Sequence, residues 1–284
     1  MSDILIQLLP PVWLHLALSL VYAGLSVHFW RSRWRRTDQA LVTLPLQTWE
    51  RWSIAVVLLL HIYALGAYLF APSGMHFSFG LALSLMMALA VLIYWLESFR
   101  ARLEGLQPMV MALAAVATLN PVLFPQTRLV AHSDAFGFQL HFLSAMLAYS
   151  LFTLSALHAI FMGFTERKLH QRSLTRSLTN LPPLLTMEAL LFRMLLVGFV
   201  FLSLTLGSGV LFSEALFGQA FKFDHKTLFA FISWGIFALL LGGRQVWGWR
   251  GKKALRLTLI GFFVLLLAYV GSRFVAEVVL GRLG

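Results

Sequence analysis

Eight apolar stretches alternate with short polar intervals along the chain, at 8–30, 54–71, 77–96, 108–124, 138–162, 193–212, 228–246 and 255–276. Each is long enough, or nearly so, to cross roughly 30 Å of hydrocarbon as a helix. None alternates apolar and polar residues as a half-buried strand would, and an open sheet edge has no backbone partners in lipid. The pattern predicts an all-α fold, a polytopic membrane helix bundle of about eight transmembrane helices, forming one integral membrane domain over 1–284. The fourth stretch is expected to break early at Asn120-Pro121, because proline lacks the N–H that a helix interior uses. The longest polar interval, 163–183, reads as a solvated connector, helical in its first half and ending at Pro182-Pro183. A short amphipathic piece, 184–192, is then expected to lie along the membrane surface before the sixth span begins.

Composition agrees with the lipid bilayer as the main partner. Sixty per cent of the residues are hydrophobic and 12% are charged, more apolar surface than a soluble domain of 284 residues can hide. The net charge of +11 resembles a nucleic-acid signal, but the cations sit in clusters between apolar runs, with no basic stripe interleaved with exposed aromatics. No nucleic-acid partner is expected. Seventeen of the 22 Lys and Arg residues belong to the intervals after the first, third, fifth and seventh stretches. By the positive-inside rule these intervals are cytoplasmic and both termini are extracytoplasmic. Trp30, Trp34, Trp49, Trp52, Trp95, Trp247 and Trp249 then form an aromatic belt near the cytoplasmic interface. The first stretch lacks a basic leader and a small-residue cleavage site, so it reads as a retained helix. With no cysteine, disulfides, thiolate chemistry and thioether haem attachment to this chain are excluded.

An ionisable group within a membrane helix is a functional candidate. His141 falls in the first turn of the fifth span, above Ser144, Ala145, Ala148, Ser155 and Ala156, a small-residue stripe interrupted by Phe152. Such a stripe either leaves room for a flat ligand under the imidazole or packs helices closely. His225 adjoins Asp224 in the loop Phe221-Lys222-Phe223-Asp224-His225-Lys226-Thr227. A carboxylate beside an imidazole suits iron ligation or proton transfer, while an Asp that merely caps a helix is equally ordinary. His61, between Leu60 and Ile62 in mid-span, must face the bundle interior, either as a ligand or as a bonded core group. No zinc-protease helix, calcium loop, phosphate loop or nucleophile elbow is present.

The stretch from Met187 to Gly251 organises the chain, and its motifs resemble a known family. The fifth span reads His141-Phe142-Leu143-Ser144-Ala145-Met146-Leu147-Ala148-Tyr149-Ser150. The sixth is introduced by Met187-Glu188-Ala189-Leu190-Leu191-Phe192-Arg193, followed by Gly198-Phe199, Leu202, Gly207 and Gly209. The seventh closes on Gly248-Trp249-Arg250-Gly251-Lys252-Lys253. In this order the motifs resemble the integral-membrane cytochrome c assembly (CcsA/HemX-like) family, most strongly over 138–275. Gly271-Ser272-Arg273 and His61 look like positions shared with its bacterial inner-membrane members.

The resemblance implies a bacterial inner-membrane, multi-pass protein that handles non-covalent haem at the outer face. Its partners would be other cytochrome c maturation proteins or an apocytochrome. Carried onto this chain, it makes His141 the first axial ligand and His225 a second. Phe221 and Phe223 become porphyrin contacts and Asp224 the orienting group. The chain also departs from the pattern. The family's tryptophan-rich loop is reduced to 221–227, its histidine near the end of the seventh span is replaced around Gly242-Gly243, and its outer histidine after the last span is missing. These departures point to haem binding or relay without independent catalysis. A structural or regulatory scaffold that has lost haem is the rival reading. A small-solute transporter ranks lower, because broken helices and mid-membrane charges are nearly absent.

Overall fold

A computed structural model describes residues 12–35, 46–72, 74–100, 105–130, 133–171, 184–211, 225–272 and 274–275. Among them the chain forms eight helices. They are α1 (Val12–Phe29), α2 (Thr48–Leu69), α3 (Phe79–Glu97), α4 (Gln107–Leu123), α5 (Phe136–Gln171), α6 (Leu184–Leu211), α7 (His225–Trp247) and α8 (Lys252–Leu266). Seven are long and apolar enough to cross a membrane, counting the wider π turns Trp30–Arg35 after α1 and Leu267–Gly271 after α8; α4 is the shorter eighth. The all-α polytopic bundle is therefore what the apolar pattern requires. Two short strands escaped that pattern. β1 (His76–Phe77) pairs antiparallel with β2 (Arg128–Leu129), His76 opposite Leu129. Two residues are too few to show alternation.

The expected break at Asn120-Pro121 does not occur. Pro121 lies inside α4, which continues to Leu123, and the Phe124 amide donates to the Asn120 carbonyl at 2.8 Å. The reason is local. The Asn120 side-chain amide donates to the carbonyls of Val116 and Ala117 at 3.1 and 3.2 Å, so the carbonyl deprived of the proline N–H still has a donor. Nor is 184–192 a separate surface piece. It forms the first turns of one 28-residue helix, because Met187, Glu188, Leu190, Leu191 and Phe192 are all buried against neighbours. The connector is helical through Gln171, where α5 ends.

Helix α5 is the centre of the bundle. Its most apolar window is 78% buried, against 22% for α7, which faces outward. It packs on α3, α6 and α8. Small hydroxyl residues fasten it, as expected where lipid gives helices no hydrophobic reason to associate. Ser150 donates to the Met86 carbonyl of α3 at 2.8 Å, and Tyr149 to the Leu265 carbonyl of α8 at 2.9 Å. Phe152 stacks on Phe237 of α7 with ring centroids 3.9 Å apart. It can do so because Gly198 of α6 leaves the ring room: a Cβ there would sit 3.2 Å from Phe152.

Buried charge and tryptophan hold one end of the bundle. Arg33 grips Glu50 with two hydrogen bonds, 3.0 and 2.6 Å, and both side chains are buried. Glu50 also accepts from the Gln47 amide in a capping box that starts α2, and bonds His28 at 2.9 Å. Trp34 donates to the Gly105 carbonyl and Trp95 to the Arg51 carbonyl. Across the bundle, Arg193 pairs with Glu97. His141 stands at the opposite end.

Candidate functional site

His141 is in the second turn of α5, half-buried, and turned toward α6. Its Nδ1 lies 2.9 Å from the Ser208 hydroxyl. That hydroxyl also lies 3.1 Å from the Thr205 carbonyl, so it ties the imidazole to the α6 backbone. An imidazole that ligates a metal commonly has its other nitrogen anchored by the protein in this way. Gly209 brings the α6 backbone close: a Cβ there would come 3.4 Å from the His141 Cε1.

The stripe below His141 is packed rather than open. Ser144 donates to the His141 carbonyl at 2.9 Å and accepts from Thr205 at 3.1 Å. Ser144, Ala148, Ser155 and Ala156 are buried, and Phe152 is wedged between Gly198 and Phe237. No slot for a flat ligand runs down this face among the described residues. An imidazole is chemically suited to hold haem iron.

His225 begins α7 and is exposed. Trp234, nine residues further on, donates to Ser203 of α6 at 2.9 Å and stacks on Phe199. At about 1.5 Å rise per residue, His225 stands roughly 14 Å above that contact, at the same end as Ser208 and His141. Phe221, Phe223 and Asp224 lie outside the described residues. His61 is placed elsewhere. It is fully buried between α1, α2 and α3, with Nδ1 3.4 Å from the Tyr22 hydroxyl and Nε2 2.8 Å from the Ser84 hydroxyl. Both ring nitrogens are spoken for, and the structure does not bring His61 to His141.

The motif residues of α6 and the 248–253 turn meet at the tryptophan end. Glu188 accepts from the Gly251 amide at 3.4 Å and pairs with Arg250 at 3.5 Å. Trp249 covers Gly243, where a Cβ would fall 2.4 Å from the indole. A side chain at 243 therefore has no room under Trp249. Gly242 is open but lies about 25 Å along α7 from His225, so a histidine added there would not complete a site around His141. Sequence reasoning missed Ser208, Thr205 and the Glu188–Arg250 link. Ser208 was flanked by the two motif glycines, Gly207 and Gly209, but nothing local marks a serine as the partner of a histidine 67 positions away.

Fold and site define a polytopic membrane protein with an anchored imidazole at one end of its central helices. Comparison with known proteins gives the family. The model described as Cytochrome C assembly protein matches residues 49–280. The chain belongs to that family, and it is a multi-pass bacterial inner-membrane protein with a role in cytochrome c maturation. It is 27% identical over 237 residues to the inner membrane protein YpjD of Escherichia coli K12, covering 81% of this chain and 89% of that one. It is also 39% identical over 88 residues to the cytochrome c biogenesis protein CcsA of Prochlorococcus marinus subsp. pastoris, 31% of this chain and 28% of the other.

Proposed function

We propose that this protein binds or relays haem during cytochrome c maturation, with His141 as the residue that would hold the iron. The placement of the ring carries the proposal: His141 stands half-buried at the end of the bundle, with Nδ1 held by the Ser208 hydroxyl, which reaches on to the Thr205 carbonyl of α6. Haem, when bound, would supply the iron porphyrin that an apocytochrome receives. The chain's own residues do the holding. Ser208 and Thr205 fix the ring, α5 and α6 keep it at the end of the bundle, and His225 is the candidate for a second ligand. Phe221 and Phe223 would offer aromatic faces and Asp224 a carboxylate to orient His225. Membership in a cytochrome c assembly family and similarity to a protein named for cytochrome c biogenesis support this reading.

The test is the absorption spectrum of the detergent-purified protein expressed with ample haem supply. A Soret band is expected, abolished in His141→Ala and shifted or weakened in His225→Ala. If the wild-type chain carries no haem and takes none up in titration, the scaffold reading replaces this one, with the bonded Ser144–Thr205 face as simple helix packing.

A further inference from the structure

The cations of the 244–256 region are not equally committed. The Arg244 guanidinium lies over the Phe192 ring at 3.8 Å, and Arg250 pairs with Glu188. Lys253 stands over Trp249 at 3.3 Å, which fixes the direction of its ammonium. Lys252 and Arg256 are exposed, and neither has a partner among the described residues. They are four residues apart on α8, hence on one face about a turn from each other, and Lys253 adjoins them. The first turn of α8 holds no acidic residue, so three positive groups sit together without a counter-charge from their own helix. Beside them Trp247 stacks on Trp249, with ring centroids 5.3 Å apart, and Trp247 is 63% exposed. Exposed tryptophan at a helix end marks the depth of lipid headgroups.

We propose that Lys252, Lys253 and Arg256, flanked by Trp247 and Trp249, bind the phosphate of an anionic phospholipid. Charge complementarity selects the occupant: three cations at headgroup depth match a phosphodiester of net negative charge, and the indoles pack against glycerol and upper acyl chain. A zwitterionic lipid presents the same phosphate with its own ammonium, which the cations repel. The site is remote from His141, at the other end of the bundle, and holds whether or not the protein carries haem.

The experiment is native mass spectrometry of the full chain released from micelles doped with equal phosphatidylglycerol and phosphatidylcholine. Retention of phosphatidylglycerol over phosphatidylcholine is expected, falling on the order of thirtyfold in the double variant Lys252→Gln, Arg256→Gln, since each cation near a charged surface contributes about fivefold. The charge-conserving pair Lys252→Arg, Arg256→Lys should keep the preference, separating lost charge from lost fold. Arg167→Gln, which removes an exposed cation at the same end from α5, should leave it unchanged. Equal retention of both lipids overturns the site, as does an equal loss in Arg167→Gln, which would mean diffuse interfacial charge. Displacement of the lipid by millimolar inorganic phosphate would make it a free-phosphate site and likewise overturn the assignment.

Discussion

Two histidines of this protein are both held by hydroxyl groups from neighbouring helices, and they differ in where the ring stands. His61 is fully buried, with Tyr22 on one nitrogen and Ser84 on the other, so the ring joins α1, α2 and α3 and has nothing further to offer. His141 is half-buried at the end of the bundle, with Nδ1 tied to Ser208 and the Thr205 carbonyl beside it. A ring satisfied at both nitrogens is a fastener. A ring held by a neighbouring helix at the end of the bundle and only half-buried has the placement of a ligand. His15 supplies the limiting case: it is 1% exposed, and neither of its nitrogens has a hydrogen-bond partner among the described residues, although its ring lies 6.2 Å from that of Tyr68.

The sharpest way to break the comparison is to move each ring in turn and read haem and stability together. The largest effect belongs to neither histidine but to the clamp beneath His61's helices. Glu50→Ala strands the buried Arg33 guanidinium, so a loss of about 3–5 kcal/mol is expected, read as aggregation or a steep fall in the thermal midpoint in detergent. Next, His141→Ala should abolish haem absorbance while the thermal midpoint falls only slightly. Ser208→Ala should keep the haem but weaken its affinity by roughly tenfold or more, because the ring loses its anchor. His61→Leu should do the reverse, leaving the spectrum unchanged and costing about 1–3 kcal/mol, since the Tyr22 and Ser84 hydroxyls lose their partner inside the bundle. The smallest effect has the opposite sign. His15→Leu removes an unsatisfied buried imidazole, and a gain of about 1 kcal/mol is expected from unfolding midpoints. If His61→Leu removes the haem and His141→Ala keeps it, the division drawn here is inverted.

Much of the architecture is legible in the chain because a bilayer imposes a length and a hydropathy on every span. The eight apolar stretches fall within the eight helices or share most of their residues with them, and seven of the nine tryptophans cluster at one end as a belt should. The errors arise where a side chain does what the backbone rule does not foresee. Proline was expected to end α4, but the amide of Asn120 replaces the missing donor. The polar character of 184–192 suggested a surface piece, but Glu188 is there to hold Gly251 and Arg250 from inside one long helix.

The same division runs through the site. Residue types and their order were enough to assign the family, because the ordered motifs of the fifth to seventh spans survive in the chain. Sequence also determined the bundle, since only helices satisfy their own backbone groups in lipid. The partners of each histidine were decided by the tertiary structure alone. Ser208 meets His141 across 67 residues, and Ser84 meets His61 across 23, through the packing of separate helices. Hydrogen bonds between helices depend on rotation about each helix axis, which packing sets and hydropathy does not encode. That rotation makes one imidazole a fastener and the other a candidate ligand.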